Sequence, residues 1–326
     1  EVRVLSGIQP SGDLTLGNYF GMMKRMVRYQ EENELFAFIV NFHAQTSVPD
    51  GDSLSQNTIE AAIDFLALGL DPERSVFWAQ SDIPEIHEFA WYLGNFTPMG
   101  LLERCHSYKD KTSKGIAANH GLFCYPILMA ADILAFSADK IPVGKDQKQH
   151  VEVTRDIAMK FNNQYGEILT LPEPDIDDEV AIVPGIDGNK MSKSYGNTIN
   201  IFEPSKKALS KKCMKIVTDA TPLEDPKDPD KCIVFALYKL FANEEQLKEM
   251  RANYEGGNYG YGHAKQALCD IIWDHFAEAR EKREEFAKDR TGVVRILKKG
   301  ALKARETFIP MLKRVRRAVG THYSSV

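Results

Sequence analysis

Residues 2–21 of the chain read VRVLSGIQPSGDLTLGNYFG. The stretch begins with a short apolar run at residues 2–8, which favours a buried strand. Pro10, Ser11 and Gly12 then favour a tight turn, and residues 17–30 have the apolar spacing of a helix. A strand that turns into a helix is the opening unit of an α/β fold, whose ligands bind at the carboxyl ends of the strands.

The strand–helix alternation continues beyond this unit. Residues 35–43 are rich in β-formers, 58–70 have a helical pattern, and 75–80 form another short apolar run. This order predicts a parallel sheet with crossover helices. A long helical run after Gly121, a short strand at 140–143 and a helix that opens at Asp146 follow. From residue 204 onward only helical patterns remain, so we expect an α/β domain at 1–203, with a helical insertion at about 104–180, and a helical domain at 204–326.

The composition is that of a globular protein. Of 326 residues, 43% are hydrophobic and 27% charged, and no apolar run reaches the ~18 residues of a membrane span. The first residues lack the pattern of a signal peptide. Five cysteines without a C-x-x-C pair argue against a disulfide framework, structural zinc or an iron–sulfur cluster. We therefore expect a protein of the cytoplasm.

The charge is unevenly distributed along the chain. Residues 291–326 contain nine basic residues and one acidic residue, a net charge of +8, so the remainder must carry −13 to give the overall −5. A basic C-terminal segment on an acidic protein is expected where the partner is a polyanion. A solvated helix face would have the same composition, and charge alone leaves both interpretations open.

A second motif, GNKMSKSYGN at residues 188–197, crowds two lysines and two serines between glycines. The turn PSG with TLGN after the first strand, followed much later by KMSKS, resembles the paired signature of class I aminoacyl-tRNA synthetases. Thr15 stands where many members have the first histidine of H-I-G-H. KMSKS is expected to be a loop whose lysines close over the pyrophosphate end of ATP and stabilise charge on the leaving group.

The segment GLFCYPILMAADILAFSADKIPVGKDQKQHVEVTRDIA at residues 121–158 resembles bacterial tryptophanyl-tRNA synthetases, and this resemblance covers nearly the whole chain. Tyr125, Met129 and Asp132 follow at i, i+4 and i+7 and should share one helix face. A carboxylate on an apolar face needs a partner, and an indole N–H is a donor without an acceptor. A structural salt bridge of Asp132 is the alternative. Tyrosine-specific relatives carry glutamine at the place of Met129.

The resemblance implies a Rossmann-like catalytic domain and the following site residues. The ATP site would comprise Gln9, Pro10, Ser11, Gly17, Asn18, Gly144, Lys145, Asp146, Val183, Lys190, Met191, Ser192, Lys193 and Ser194. The tryptophan site would comprise Leu5, His43, Tyr125, Met129, Asp132 and Gln147. The groups that assist catalysis would be Gln9, Lys111, Lys190 and Lys193.

Several of these positions carry a second interpretation or depart from the family. Asp146 could also cap its helix in a capping box with Gln149. Leu5 replaces a usual phenylalanine, Lys145 replaces a common glutamate, and His150 is interpreted as structural. No metal site is expected, and Mg²⁺ would arrive with ATP.

The resemblance implies that the chain activates L-tryptophan with ATP and transfers it to tRNA(Trp), as a homodimer whose helical domain binds the tRNA. In the C-terminal segment, Phe308, Leu312, Val315 and Val319 form an apolar stripe. The cations Lys313, Arg314, Arg316 and Arg317 lie mostly off this stripe and would be free for the tRNA backbone. Pro310 predicts a kink or a new helix start.

Three other functions share parts of this pattern. A tyrosine-activating relative is disfavoured by the apolar Met129. A nucleotidyltransferase that shares the first motif would lack a long helical part with a basic end. An inactive RNA-binding paralogue should have lost Lys190 or Lys193, and both are present.

Overall fold

The computed structural model describes residues 1–47, 50–177 and 182–324, apart from the side chain of Asp146. The chain divides into two compact units. The sheet unit comprises Glu1–Gly12, Met26–Asp178 and Phe286–Val326, and the helical unit comprises Asp13–Arg25 and Glu179–Glu285. This division differs from the boundary expected at residue 203, because each unit includes segments from both sides of it.

The helices of the described residues follow in chain order. They are α1 (Leu16–Asn18), α2 (Lys24–Glu32), α3 (Asn41–Ala44), α4 (Gly51–Ala67), α5 (Ile86–Gly94), α6 (Met99–Glu103), α7 (His106–Ser113), α8 (His120–Ala135), α9 (Lys148–Tyr165), α10 (Lys206–Met214), α11 (Ile233–Tyr238), α12 (Glu244–Glu255), α13 (Tyr261–His275), α14 (Ala277–Lys288) and α15 (Arg290–Val319). One π-helical turn, Tyr19–Met23, joins α1 to α2.

The sheet unit is built on five parallel strands in the order β3-β2-β1-β4-β5. Their bounds are β1 (Arg3–Ile8), β2 (Glu34–Ile39), β3 (Val76–Ala79), β4 (Lys140–Val143) and β5 (Glu173–Ile176). β1 lies in the middle, where it pairs with β2 from Arg3↔Glu34 to Ile8↔Ile39 and with β4 on its other side. The prediction of an α/β fold with a Rossmann-like parallel sheet is confirmed.

Helix α15 packs against the edge strand β3. A Cβ atom at Gly300 would lie 1.6 Å from the carbonyl oxygen of Phe77, so only glycine allows the two main chains to come this close. Of the predicted apolar stripe, Phe308, Leu312 and Val315 are each 0% exposed, and Val319 is half-buried. The Phe308 ring lies 5.9 Å from Phe89 and 5.7 Å from Phe136 in the core. Pro310 lies inside α15, so the helix does not restart there.

Half of the ten cations of α15 are paired with acidic side chains of the same unit. Arg316 binds Glu88 through two hydrogen bonds of 2.7 and 2.6 Å, and Lys299 lies 2.9 Å from Glu73. Arg305 pairs with Glu85 and Lys298 with Asp82. The prediction that Arg316 is free for tRNA is wrong, because its guanidinium joins α15 to α5.

In the helical unit, α10 and α11 both pack on α13. Their shared core contains the fully buried side chains of Cys213, Leu268, Cys269 and Tyr254. The five cysteines, all within the described residues, are free. No helix in the described ranges is long and apolar enough to cross a membrane.

Candidate active site

The crevice between β1 and β4 lies where the strand order of the sheet reverses, the place where open α/β sheets bind their ligands. β1 runs into residues 9–12 and β4 into residues 144–147. Gln9, Gly144 and Gln147 are exposed there, and Gly12 has a φ of +87°, which makes the turn possible. The sheet therefore brings the two predicted nucleotide loops of this unit to neighbouring strand ends.

Asp132 is a buried carboxylate, only 2% exposed, on α8. Its Oδ2 lies 2.9 Å from Nε2 of His43 and accepts a hydrogen bond of 2.6 Å from Nε2 of Gln80. Burial raises the pKa of Asp132, while the hydrogen bonds from His43 and Gln80 oppose that rise. Oδ1 receives no hydrogen bond from the described residues, so this oxygen keeps its capacity to accept a donor.

Gln80, which sequence reasoning missed, fixes this carboxylate from the other side. It follows β3 and is 2% exposed. Its Oε1 accepts the backbone N–H of Phe42 at 2.9 Å and that of His43 at 3.4 Å. One amide thus orients both Asp132 and the helix that carries His43. The available signal was a polar residue directly after the apolar run VFWA.

Tyr125 lies on the same helix as Asp132, and its ring is 6.0 Å from His43 in an edge-on arrangement. Its hydroxyl lies 2.8 Å from Oγ of Ser107 and 3.1 Å from Nε2 of His150. Burial raises the pKa of Tyr125, which therefore stays a neutral hydroxyl. His150, interpreted as structural, holds this hydroxyl.

The remaining sheet-unit predictions fall on separate elements. Leu5 is 2% exposed on β1, and Met129 is half-buried on α8 between Tyr125 and Asp132. Lys111 lies half-buried on α7, the helix that also carries Ser107. His43 is on α3, not at the end of a longer strand, because β2 stops at Ile39.

The loop after β4 differs from its prediction. Residues 145–147 form a 3₁₀ turn, and α9 begins only at Lys148. Gln149 accepts the backbone N–H of His106 at 3.2 Å, and the residue that precedes α9 makes no side-chain cap. The helix therefore does not open at Asp146, whose side chain, with its predicted ribose and capping roles, lies outside the described part of the chain.

In the helical unit, the TLGN motif is fixed by a capping box. Oδ1 of Asn18 accepts the backbone N–H of Thr15 at 2.9 Å, and Oγ1 of Thr15 accepts that of Asn18 at 3.2 Å. Thr15, in place of a histidine, thus acts as a helix cap. The side-chain carbonyl oxygen of Asn18 is occupied, which leaves its Nδ2 as the donor for a ligand.

The two signature motifs lie against each other in this unit. Leu16 donates its N–H to the carbonyl of Ile199 at 2.9 Å, and Ile201 donates to Leu14 at 2.9 Å. A Cβ at Gly17 would lie 3.6 Å from Cβ of Met191. Main-chain hydrogen bonds thus join the segment around TLGN to residues 199–201, just after KMSKS, and Gly17 lies close to Met191 of KMSKS itself.

The KMSKS loop is anchored by its apolar residue. Met191 is 6% exposed, and its N–H donates to the carbonyl of Val183, itself 5% exposed, at 2.9 Å. Lys190, Lys193 and Ser194 are exposed, and Ser192 is half-buried. The anchor holds the loop while both cations face solvent.

The family model for class I tRNA synthetases (W and Y) matches residues 1–277. The chain belongs to this family. The tryptophan–tRNA ligase of Campylobacter jejuni (strain RM1221) is 54% identical over 98% of this chain and 100% of its own length. The enzyme of Fusobacterium nucleatum is also 54% identical, over 98% of both chains.

The fold of this chain is also similar to that of a solved tryptophanyl-tRNA synthetase. The crystal structure of tryptophanyl-tRNA synthetase from Campylobacter jejuni, complexed with ADP and tryptophan, matches this class I synthetase with a TM-score of 0.95, at 54% identity over 98% of this chain and 100% of that one. The family predicted from PSG, TLGN and KMSKS is confirmed, as are its tryptophan branch and its ATP-dependent ligase activity.

Proposed function

We propose that this chain charges tRNA(Trp) with L-tryptophan in two steps. The tryptophan carboxylate attacks the α-phosphate of ATP, which forms tryptophanyl-adenylate and releases pyrophosphate. The 3′-terminal adenosine of the tRNA then attacks the activated carbonyl, which releases AMP. The observation that carries the proposal is the buried Asp132, held by His43 and Gln80 with one oxygen left to accept a donor.

The sheet unit would select the amino acid. Oδ1 of Asp132 accepts the indole N–H, and Met129 and Leu5 offer apolar surface to the ring. The hydroxyl of Tyr125 and the amide of Gln147 bind the ammonium group. Tyrosine-specific relatives carry glutamine at the place of Met129, so a tyrosine hydroxyl would lack that polar partner here, and an unpaired buried polar atom costs about 1–3 kcal/mol.

Each unit contains groups suited to ATP. In the sheet unit, Gln9, Pro10, Ser11 and Lys111 would meet the phosphates, and Gly144, Lys145 and Asp146 the ribose. In the helical unit, Gly17, Asn18 and Val183 would bind the nucleotide. Lys190 and Lys193, with Met191, Ser192 and Ser194 of the same loop, stabilise the pyrophosphate as its charge develops, and Mg²⁺ enters with ATP.

Pyrophosphate exchange into ATP, run separately with each of the twenty amino acids, tests this function. We expect exchange with tryptophan alone. Exchange with tyrosine would place the chain in the other branch of the family, and no exchange with any amino acid would make it an inactive paralogue.

We place the main tRNA-binding surface on α10 and not on the basic C-terminal segment, where the sequence led us to expect it. On α10 and its cap, Lys207, Lys211 and Lys215 follow at i, i+4 and i+8, so they lie in one exposed row. None of the three forms an ion pair with a described residue, whereas Lys206 pairs with Asp270 at 2.8 Å and Lys212 with Glu203 at 2.5 Å. Unpaired cations in a row suit an RNA backbone, and Lys313 and Arg317 on α15 provide a smaller second patch.

The homodimer and the cytoplasmic location are part of the same proposal and rest on the family resemblance. Sedimentation of the purified chain should give twice the monomer mass of 36.8 kDa. A monomer that is fully active in exchange would remove the dimer from the proposal.

A further inference from the structure

Asn197, the last residue of GNKMSKSYGN, is a fully buried amide that none of the site predictions included. Its side chain is 1% exposed and makes three hydrogen bonds. Nδ2 donates to Oδ1 of Asp187 at 2.8 Å and to the carbonyl of Lys190 at 3.1 Å. Oδ1 accepts the N–H of Ser192 at 2.9 Å.

These contacts lie on both sides of Met191, the buried residue of the KMSKS loop. The carbonyl of Lys190 and the N–H of Ser192 lie on the two sides of Met191, so one side chain fixes the main chain on both sides of it. The backbone carbonyl of Asn197 also accepts the N–H of Ile186 at 3.0 Å. Residues 186–197 are therefore closed into a ring around a single amide.

Asp187 and Gly185 complete this ring. Asp187 also accepts the N–H of Asn189 at 3.0 Å, and the hydrogen bonds from Asn197 and Asn189 lower its pKa, which keeps it an acceptor. A Cβ at Gly185 would lie 2.3 Å from Cγ of Asn197. The amide of Asn197 is thus held between the carboxylate of Asp187 and Gly185, where any larger residue would overlap it.

We infer that Asn197 is a positioning residue for catalysis, which sets the direction of Lys190 and Lys193 by holding the main chain between them. Exposed lysines on a glycine-flanked loop have many conformations, and a cation stabilises a leaving group only when it is already in place. Displacement of a catalytic group by about 1 Å can cost 100-fold in rate. The inference rests on the proposed function, in which these lysines act on the pyrophosphate.

The test is a double-mutant cycle on adenylate formation by the full chain. Asn197→Ala should lower kcat for pyrophosphate exchange by about 10- to 100-fold, with the Kd for tryptophan unchanged by calorimetry. Lys193→Ala should then cost much less in the Asn197→Ala background than in the wild type, because its direction is already lost. Lys111→Ala, on a separate element, should cost the same in both backgrounds.

Two further variants separate positioning from general loss of structure. Gly185→Ala should displace the amide from the other side and reproduce the kcat defect, while Gly262→Ala, whose Cβ meets nothing within 4 Å, should not. Asn197→Asp keeps the acceptor for Ser192 but places a carboxyl beside Asp187. A shared proton would restore the hydrogen bond, so its activity relative to wild type should rise as pH falls from about 8 to 6.

Additive costs for Asn197→Ala and Lys193→Ala, or a pH profile of Asn197→Asp parallel to that of the wild type, would overturn the inference. The proposed function fails by a different result, the absence of tryptophan-dependent exchange in the wild type itself.

Discussion

Asp132 is a buried carboxylate whose two oxygens have different surroundings. A carboxylate that is 2% exposed is expected to have a cation beside it, yet its neighbours are an imidazole and a neutral amide. Both bind the same oxygen, which leaves the other for a donor. This arrangement is the basis of the proposed indole contact.

Asp132→Ala should therefore alter selectivity and not only activity. Without its acceptor the indole N–H stays unpaired, so kcat/KM for tryptophan should fall by roughly 5- to 150-fold. Benzothienyl alanine, whose ring sulfur replaces the N–H, should be rejected by the wild type and much less by the variant. Equal losses on both substrates would mean that Asp132 supports α8 and does not bind the indole.

The same residue predicts a pH-dependent stability. Its pKa is raised in the folded state, so the folded chain holds this proton more tightly than the unfolded chain does. The wild type therefore loses stability as pH rises above the ordinary aspartate range of about 4, and the loss is complete above the raised pKa. Asp132→Asn cannot ionise, so its free energy of unfolding relative to wild type should increase between about pH 4 and pH 7. A difference that is independent of pH in urea titrations would contradict this.

At the scale of elements, two basic helices differ in what surrounds their charges. On α15 five of the ten cations have a carboxylate partner within the sheet unit. On α10 each adjacent pair of lysines has one paired and one unpaired member among the described residues. Composition alone could not separate the two cases, because an ion pair depends on which acidic residues the fold brings near. Half of the cations of α15, the helix of the basic C-terminal segment, therefore hold it to its own sheet unit.

The row on α10 should control tRNA affinity. Replacing Lys207, Lys211 and Lys215 with alanine should weaken tRNA binding and reduce the slope of log K against log salt by about 0.7–0.9 for each phosphate that is no longer neutralised. Tryptophan-dependent pyrophosphate exchange should not change. The matched control replaces Lys239, Lys248 and Lys288, which are exposed and without ion pairs to described residues. An equal slope in both triple variants would show that the row is merely solvated.

Two neighbouring arginines of α15 should contribute differently to the free energy of unfolding. Arg316→Ala breaks the double hydrogen bond to Glu88 and should lower the free energy of unfolding by about 1 kcal/mol. Arg317→Ala, on the exposed side, should change it by less than about 0.5 kcal/mol. Denaturant titrations of both variants would decide this, and equal effects would show that the Glu88 pair does not stabilise α15.

At the scale of the whole molecule, short sequence patterns predicted the strands and the family well. Contacts between residues far apart in the sequence could not be predicted from them. The strand at 140–143 has the predicted bounds, and TLGN and KMSKS identified the family, because each depends on a few adjacent residues. β5 was missed since its four residues, EPDI, include Pro174 and two acids, a composition that only an edge strand tolerates. The roles of Gln80 and Asn197, and the alternation of segments of the two units along the chain, depend on contacts within each unit that no local pattern encodes.

Gly300→Ala should damage the sheet unit as a whole. Its new Cβ would overlap the carbonyl of Phe77, and backbone atoms cannot move aside as a flexible side chain can. We expect the free energy of unfolding to fall by about 3 kcal/mol, the upper end of the cost of overpacking, and Tm to drop clearly. Gly51→Ala, whose Cβ meets nothing within 4 Å, is the control and should leave Tm nearly unchanged. Similar melting curves for both would mean that α15 does not lie this close to β3.

The contact between α15 and β3 also sets an order of events during synthesis. β3 leaves the ribosome more than two hundred residues before the helix that packs against it, so the nascent sheet carries an uncovered edge while those residues are translated. A chain that is released before residue 290 would keep that edge open and be prone to aggregation. The sheet unit of this enzyme would thus become complete only after α15 itself has left the ribosome.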